Sequence, residues 1–308
     1  MSFEAILINT LMLLALGVPA FLLAKFKLVS SSAVKPLSII LLYVCQPFML
    51  LKSFWTLEYQ PDLLINILLS LAFSVACTIL VWIVSLFVFH KKNLSDDKIY
   101  QFASMFSNCG FFGLPFLAAL IPDNGYVILY ASMYIVVFNV LSWTLGIYIL
   151  TGDKKFVSLK KAFLNPAVVS VIIGIPLFML NVKMPSQVID FASYWSMMTS
   201  PLAMSVVGIR LADMPFSLLV KDGKAFAASG LRLVVSPLIM WVILLVVGVS
   251  DANLFNSMII ASAMPVATTT VVFAELYAPE SSAGVTSMLL STVLCVVTVP
   301  LICMLTLI

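Results

Sequence analysis

The sequence predicts an all-α integral membrane protein of ten transmembrane helices, arranged as two inverted five-helix repeats in which helices four and nine are broken and cross at the bilayer midplane. Three observations lead to this fold class: an apolar composition, ten hydrophobic segments of membrane length, and prolines that recur at matching places in the two halves. Of the 308 residues, 63% are hydrophobic and 9% are charged. A soluble domain carries about 25% charged residues, so this chain has too few polar residues to cover a soluble core.

The composition also excludes several classes of function. The net charge of +3 gives no indication of nucleic-acid binding. The five cysteines lie in apolar segments without CxxC spacing, so we expect neither a disulfide framework nor a zinc site. The single histidine, His90, has no partner for a catalytic triad or an HExxH centre. We therefore expect no enzyme activity, no catalytic residue, no metal site and no cofactor.

The hydrophobic segments define the predicted helices in chain order. Crossing the hydrocarbon core takes about 20 apolar residues, and Glu4 replaces the basic residues of a cleavable signal peptide, so the first segment is expected to stay in the protein. The predicted spans are Phe3–Ala24, Pro36–Trp55, Leu63–Phe89, Ile99–Ile121, Tyr126–Leu150, Asn165–Leu180, Ser193–Leu211, Ala225–Val249, Leu254–Leu276 and Ala283–Ile308. They form a single transmembrane domain over 1–308, with repeat one at about 1–150, a cytoplasmic linker at about 151–164 and repeat two at about 165–308.

The distribution of basic residues predicts the orientation. The connectors after spans one, three, five and seven, which include Lys91 and Lys92, lie on the side that holds 14 of the 16 basic residues. Lys52 and Lys183 lie on the other side. By the positive-inside rule the lysine-rich side is cytoplasmic, so both termini are expected outside a plasma membrane, the inner membrane in a bacterium.

Prolines at corresponding places indicate an internal repeat. The pairs lie in the first, second and fourth spans of each half: Pro19 with Pro176, Pro47 with Pro201, and Pro115 with Pro265. Because each half has an odd number of spans, the second half must enter the membrane from the opposite face. Such inverted repeats are common among secondary transporters.

The fourth span of each half carries residues that interrupt helices. Ser107–Pro115 reads SNCGFFGLP, and Ala261–Thr270 reads ASAMPVATTT. Irregular backbone at this depth persists only where it is buried in protein or lines a cavity. Two such breaks would bring half-helix N-termini together, where free N–H groups can bind a carboxylate without a formal cation. The alternative is a pair of ordinary proline kinks that serve packing.

The polar residues near the breaks are the candidate binding residues. Asn108 is the first candidate, because its amide can donate to a carboxylate; the alternative is an asparagine that satisfies the broken backbone. Threonine hydroxyls at the second break either face a substrate or bond back within the helix. The full predicted site comprises Asn108, Gly110, Gly113, Pro115, Pro265, Thr268, Thr269 and Thr270.

Five further residues are secondary candidates. Gln46 and Asn139 are isolated polar residues, for which hydrogen bonding between helices is the favoured interpretation. Arg210 and Arg232 are predicted to snorkel to the headgroups from cytoplasmic helix ends, with attraction of an anionic substrate as the alternative. Glu275 is expected to cap the helix at the cytoplasmic membrane interface. The alternative is that it carries a coupling proton.

Two stretches carry a resemblance to a known family. The segments Asn108–Pro115 (NCGFFGLP) and Met264–Tyr277 (MPVATTTVVFAELY) resemble the auxin efflux carrier family, which includes plant PIN auxin exporters and bacterial malate and malonate permeases. The resemblance covers essentially the whole chain. It implies helices four and nine broken and crossing near Pro115 and Pro265, and a scaffold bundle of helices one, two, six and seven. It also implies transport of small organic anions. A homodimer through these scaffold helices is a further expectation.

The expected function is a secondary transporter that moves a small organic carboxylate anion by alternating access, driven by the membrane potential. The alternatives are a symporter of a dicarboxylate such as malate or malonate coupled to H⁺ or Na⁺, and a channel or receptor on the same scaffold. A cation antiporter would be expected to carry acidic residues at the break, where this chain has Asn108 and threonines. The expected partners are the anion, membrane lipid and the coupling ion, without nucleic acid.

Overall fold

The computed structural model describes residues 3–60, 63–90, 95–121, 124–213 and 221–306, and within them every regular element is helical. The predicted all-α class is confirmed. Lys91 and Lys92, used for the orientation, lie outside the described residues, as does the end of the tenth predicted span. The helices are α1 Phe3–Ala15, α2 Val18–Lys25, α3 Ser31–Trp55, α4 Leu63–Val88, α5 Ser95–Met105, α6 Cys109–Leu120, α7 Gly125–Thr151, α8 Leu159–Phe163, α9 Pro166–Met179, α10 Ser186–Met197, α11 Thr199–Asp213, α12 Gly223–Val247, α13 Ala252–Ala263, α14 Thr269–Tyr277 and α15 Ala283–Thr306.

Helix length and hydropathy agree with a multi-pass membrane protein. Six helical segments of the described chain are long and apolar enough to cross a bilayer: Ile6–Lys25, which combines most of α1 with α2, and Ser31–Trp55, Leu63–Val88, Gly125–Thr151, Gly223–Val247 and Ala283–Thr306. The bent pair Lys154–Phe163 and Pro166–Met179, at 42°, adds a seventh candidate. The predicted spans four, seven and nine each consist of two shorter helices.

Proline-associated π-turns shape three of the helices, α3, α6 and α12. Wide turns at Leu41–Cys45, Cys109–Gly113 and Leu231–Val235 are each followed, two positions later, by a proline: Pro47, Pro115 and Pro237. A proline in a regular helix lacks an N–H group and clashes with the preceding turn. A π-turn relaxes this spacing locally, so the helix continues through each proline.

Twelve of the fifteen described helices pack in two groups. The first helix group comprises α2, α3, α9, α10 and α11, and the second comprises α4, α5, α7, α12, α13, α14 and α15. In the first group, α2 packs closely along α11 because Gly17 and Gly208 face each other. A Cβ atom added at Gly208 would lie 2.3 Å from the Gly17 carbonyl oxygen. Small residues permit this approach of helices in membranes.

Candidate functional site

The two interruptions lie against each other. The main-chain N–H of Asn108 donates to the carbonyl oxygen of Pro265 over 2.7 Å, and the N–H of Ala267 donates to the carbonyl of Phe106 over 2.9 Å. The intervening residues form an isolated antiparallel bridge. Backbone groups that leave a helix inside a membrane need other partners, and here each interruption supplies partners for the other.

Pro265 explains why α13 ends where it does. Met264 takes an extended conformation, with φ −69° and ψ 151°, as expected for the residue that precedes a proline. The following N–H, that of Val266, donates to the Ser291 hydroxyl of α15 over 2.9 Å. The second interruption is thus fixed from two sides.

The interruption of the first repeat lies before the glycines and the proline that predict it. The helix stops after Met105 and restarts at Cys109, whereas Pro115 is buried inside α6, beyond the π-turn. Pro115 therefore does not lie at the interruption itself, because the π-turn accommodates its ring inside α6. Gly113 packs next to the other interruption, since an added Cβ atom would lie 3.0 Å from Met264 Cγ.

Arg232 connects the ends of both interrupted helices. It is fully buried, with 0% of its surface exposed. One guanidinium nitrogen, Nη1, donates to the carbonyl of Met105 over 2.8 Å, and the other, Nη2, donates to the carbonyl of Ser262 and to the Ser236 hydroxyl. The snorkelling expected for Arg232 is wrong, because its side chain is fully buried and its guanidinium binds carbonyl groups at the negative dipole ends of two helices.

A cavity of about 170 Å³, here called the inner cavity, adjoins the interruptions. It brings together seven of the thirteen candidate residues: Gln46, Asn108, Gly110, Asn139, Arg210, Thr268 and Thr269. The other six candidates are not part of its lining: Gly113, Pro115, Pro265, Thr270, Arg232 and Glu275. Pro265 and Arg232 instead hold the backbone that carries the lining.

Two amides in the inner cavity are free to bind a ligand. Gln46 and Asn108 are 4% and 5% exposed, and in the described part of the chain their side chains have no hydrogen-bond partner in the protein. Asn139 differs, because its amide nitrogen donates to the carbonyl of Ile135 over 2.9 Å. The buried hydroxyl of Thr269 also lacks a protein partner. Buried polar groups left in this way are costly unless a solvent molecule or ligand satisfies them.

Gly110 makes room for one of these amides. An added Cβ atom would lie 2.3 Å from Gln46 Nε2, so the Gln46 amide lies directly over the start of α6. The first N–H groups of a helix have no partner inside that helix. An amide and a helix start therefore share one end of the inner cavity.

Aromatic residues form the apolar walls of the inner cavity. Trp143 and Phe273 meet edge to face with ring centroids 4.8 Å apart, and Phe138 meets Phe106 in the same way at 5.7 Å. Edge-to-face pairs restrain both rings. A ligand of this cavity would meet fixed apolar walls and a few polar groups, as in typical small-molecule sites.

A wider cavity of about 790 Å³, here called the vestibule, continues from the inner cavity. Ser38, Leu42, Arg210 and Val272 line both. Glu275 lines the vestibule, and its carboxylate Oε1 lies 3.1 Å from Arg210 Nη1. Arg210 is thus paired with Glu275 where the two cavities meet. The snorkelling of Arg210 and the interfacial cap by Glu275 stay predictions.

Sequence reasoning missed the aromatic walls and Asn165, which lines the inner cavity and accepts the Ala167 N–H over 3.0 Å. Asparagine before Pro166 is a typical helix-capping signal, but capping gives no indication of a cavity. Trp143 lies near the end of an apolar span, where aromatic residues are common at the membrane interface.

Together, the apolar helices, the paired interruptions and the partly polar cavity between helices define a multi-pass membrane protein with an internal cavity. The family described as membrane transport protein matches residues 5–303, so the chain belongs to this family, the auxin efflux carrier and membrane transport protein family. Its members are transporters rather than enzymes. The resemblance seen in the sequence is thereby confirmed. No curated protein matches the chain.

Proposed function

We propose that this protein is a secondary transporter that carries a small organic carboxylate anion across the plasma membrane by alternating access. In this proposal the ten spans form two inverted repeats, about 1–150 and 165–308, joined by a cytoplasmic linker. The paired interruptions lie where helices four and nine cross at the bilayer midplane. Scaffold helices one, two, six and seven correspond to α1–α3 and α9–α11, the surface available for a homodimer.

The inner cavity carries this proposal. It adjoins both interruptions, it contains two amides without protein partners, and Arg210 is the one charged residue in its described lining. Discontinuous helices whose N-terminal ends point at an anionic substrate are a recurrent arrangement in transporters. Asn108 would add a directed hydrogen bond at the start of α6, and Gln46 a second one from α3.

The sign of the substrate charge follows from the same groups. A guanidinium, amide N–H groups and helix N-termini all favour an anion. A monovalent anion that crosses alone gains about 2.3 kcal/mol per 100 mV, which is roughly a 50-fold concentration ratio at equilibrium. Export from a cell with a negative interior would then require no coupling ion.

The experiment uses purified protein in proteoliposomes. We expect malonate, malate or indole-3-acetate to raise its melting temperature, because a ligand of the folded state stabilises it. The stabilising anion should show saturable counterflow that depends on an imposed membrane potential. Lack of binding by all three would contradict the proposed substrate class. An absolute requirement for Na⁺ or a proton gradient would favour the symporter, and flux without counterflow would indicate a channel.

A further inference from the structure

Arg210 occupies the junction between the vestibule and the inner cavity. It lies in α11, and it lines both spaces. Its side chain is 16% exposed, so the guanidinium is largely withdrawn from solvent. Any solute that moves from the vestibule into the inner cavity passes this cation.

The present partner of Arg210 belongs to the opposite helix group. Glu275 lies in α14, and the atoms Arg210 Nη1 and Glu275 Oε1 are 3.1 Å apart. The Glu275 side chain is 58% exposed. Because an ion pair with one solvated partner contributes little to stability, the fold does not depend on this contact, and Glu275 can be replaced by another carboxylate at small cost.

The charges around the junction make such a replacement selective. The vestibule lining contains Lys35, Asp213 and Glu275 besides Arg210, whereas the described lining of the inner cavity contains only Arg210 as a charged residue. An entering carboxylate is chemically equivalent to Glu275 as a partner for the guanidinium. A neutral or cationic solute could not compete for it.

We infer that Arg210 exchanges Glu275 for the carboxylate of the substrate as the substrate enters the inner cavity. This inference rests on the proposed function and assigns Arg210 as the residue that selects for charge, with Glu275 as its internal competitor. In the empty protein the pair ties the first helix group to the second. Occupancy of the inner cavity removes this tie, so substrate binding would favour relative movement of the two groups.

Binding measurements on single variants test the competition. Each variant is titrated with malonate, malate and indole-3-acetate and followed by its melting temperature, with folding checked by monodisperse elution. Glu275→Gln is expected to bind about two- to five-fold more tightly than wild type, the range of one part-exposed ion pair. Arg210→Gln is expected to bind about ten-fold or more weakly, as for a lost charged hydrogen bond.

Two further variants separate exchange from general electrostatics. Asp213→Asn removes a negative charge from the same vestibule without touching the ion pair, and its affinity should equal that of wild type. Adding Glu275→Gln to Arg210→Gln should leave the carboxylate affinity of Arg210→Gln unchanged, because Glu275 acts through Arg210 in this inference. The exchange would be overturned if Asp213→Asn and Glu275→Gln increased the carboxylate affinity equally. It would also be overturned if Glu275→Gln still increased the affinity in the Arg210→Gln background.

Chemical modification gives a second measurement. The chain has two arginines, and Arg232 is fully buried, so phenylglyoxal should modify Arg210. Modification, located by peptide mass spectrometry, should be faster in Glu275→Gln and slower when the stabilising carboxylate is present. If none of the three carboxylates stabilises wild type, both the proposed substrate class and the exchange fail. If one stabilises wild type but does not protect Arg210, the exchange alone is overturned.

Discussion

The main-chain N–H of Asn108 lies 2.7 Å from the carbonyl oxygen of Pro265, and this hydrogen bond joins two helices at the points where each is interrupted. The bond fixes the backbone of Asn108, whose side chain lines the inner cavity. A candidate ligand-binding amide is therefore positioned by the second half of the chain. This relationship makes the two interruptions a single structural unit, and the predictions below test its parts.

Replacing Arg232 with Met should destabilise the protein strongly. The carbonyl oxygens of Met105 and Ser262 would lose their guanidinium partner in a buried place, and each unsatisfied group costs about 1–3 kcal/mol. We expect a clearly lower melting temperature in detergent. Arg232→Lys should recover only part of the loss, because an ammonium lacks the two-pronged geometry that reaches both carbonyls.

The matched control for this change is Arg210→Met. Arg210 bonds a side chain that is 58% exposed rather than buried carbonyl groups, so its replacement should leave the melting temperature of the empty protein nearly unchanged. Equal melting temperatures for wild type and Arg232→Met would contradict the assigned role of Arg232.

Replacing Gly208 with Ala should weaken the contact between α2 and α11. The new Cβ atom would lie 2.3 Å from the main-chain oxygen of Gly17. Main-chain atoms in a helix contact cannot move aside as the end of a flexible side chain can. Overpacking of this kind costs about 1–3 kcal/mol, more than the roughly 0.5–1 kcal/mol that alanine gains over glycine in a helix. We therefore expect a lower melting temperature.

Gly230→Ala serves as the comparison for Gly208→Ala. It also lies in a helix, but an added Cβ atom there would meet nothing within 4 Å. This variant should be neutral or slightly stabilised. A similar response of both variants would mean that helix propensity, rather than the close approach of α2 and α11, decides the effect at Gly208.

The apolar helices were accessible from the sequence, because hydrocarbon thickness dictates the length of an apolar span. The third predicted span, Leu63–Phe89, differs by one residue from the helix Leu63–Val88. Asn108 and Thr268 could also be placed beside a cavity, since residues that interrupt a buried helix must find partners or line a wet space. In these cases local chemistry determines the outcome.

Other features depend on contacts that lie far apart in the chain. Arg210 and Glu275 are 65 residues apart. The local sequence around either residue does not indicate that the other is its partner. The role of Arg232 depends on where the partner helices end, and those ends are set by packing between the halves. Pro115 was misleading because a π-turn lets a helix continue through it, and no residue type marks a π-turn uniquely.

Cysteine labelling should establish the orientation that the basic residues predict. Lys155→Cys and Ala252→Cys change exposed residues, whereas all five native cysteines are buried. In intact cells a membrane-impermeant maleimide should label Ala252→Cys and spare Lys155→Cys until the membrane is opened. Labelling of Lys155→Cys alone in intact cells would reverse the proposed topology.

Gly110→Ala should impair ligand binding through Gln46. The added methyl group would lie 2.3 Å from Gln46 Nε2, so the amide must turn away from the start of α6. We expect about ten-fold weaker binding of the carboxylate that stabilises wild type, as for a lost hydrogen bond to a charged group. The melting temperature without ligand should change little, because a flexible side chain can move aside.

The second change Gln46→Ala distinguishes displacement of the amide from distortion of the helix. If Gly110→Ala acts only by moving Gln46, the double variant should bind as weakly as Gln46→Ala alone and no more weakly. Additive losses would show that the methyl group disturbs α6 itself, and an unchanged affinity in Gln46→Ala would remove Gln46 from the proposed site.

Asn108→Ala tests the proposed site most directly. The Asn108 side chain has no hydrogen-bond partner in the described protein, whereas its main-chain N–H is bonded to Pro265. Alanine keeps the main-chain bond and removes only the amide. We therefore expect carboxylate affinity to fall by about 1–3 kcal/mol while the melting temperature of the empty protein stays close to that of wild type.

Asn139→Ala is the matched comparison, because Asn139 lines the same inner cavity but already donates to the carbonyl of Ile135 over 2.9 Å. Its loss should reduce affinity less than Asn108→Ala and should reduce stability more. Binding isotherms and melting curves of both variants, measured with the same anion, decide between the two roles. A ligand held by Asn108 cannot lose this amide without loss of affinity. If Asn108→Ala kept the wild-type affinity and Asn139→Ala bound more weakly, the anion site would therefore lie away from the interruptions and towards α7.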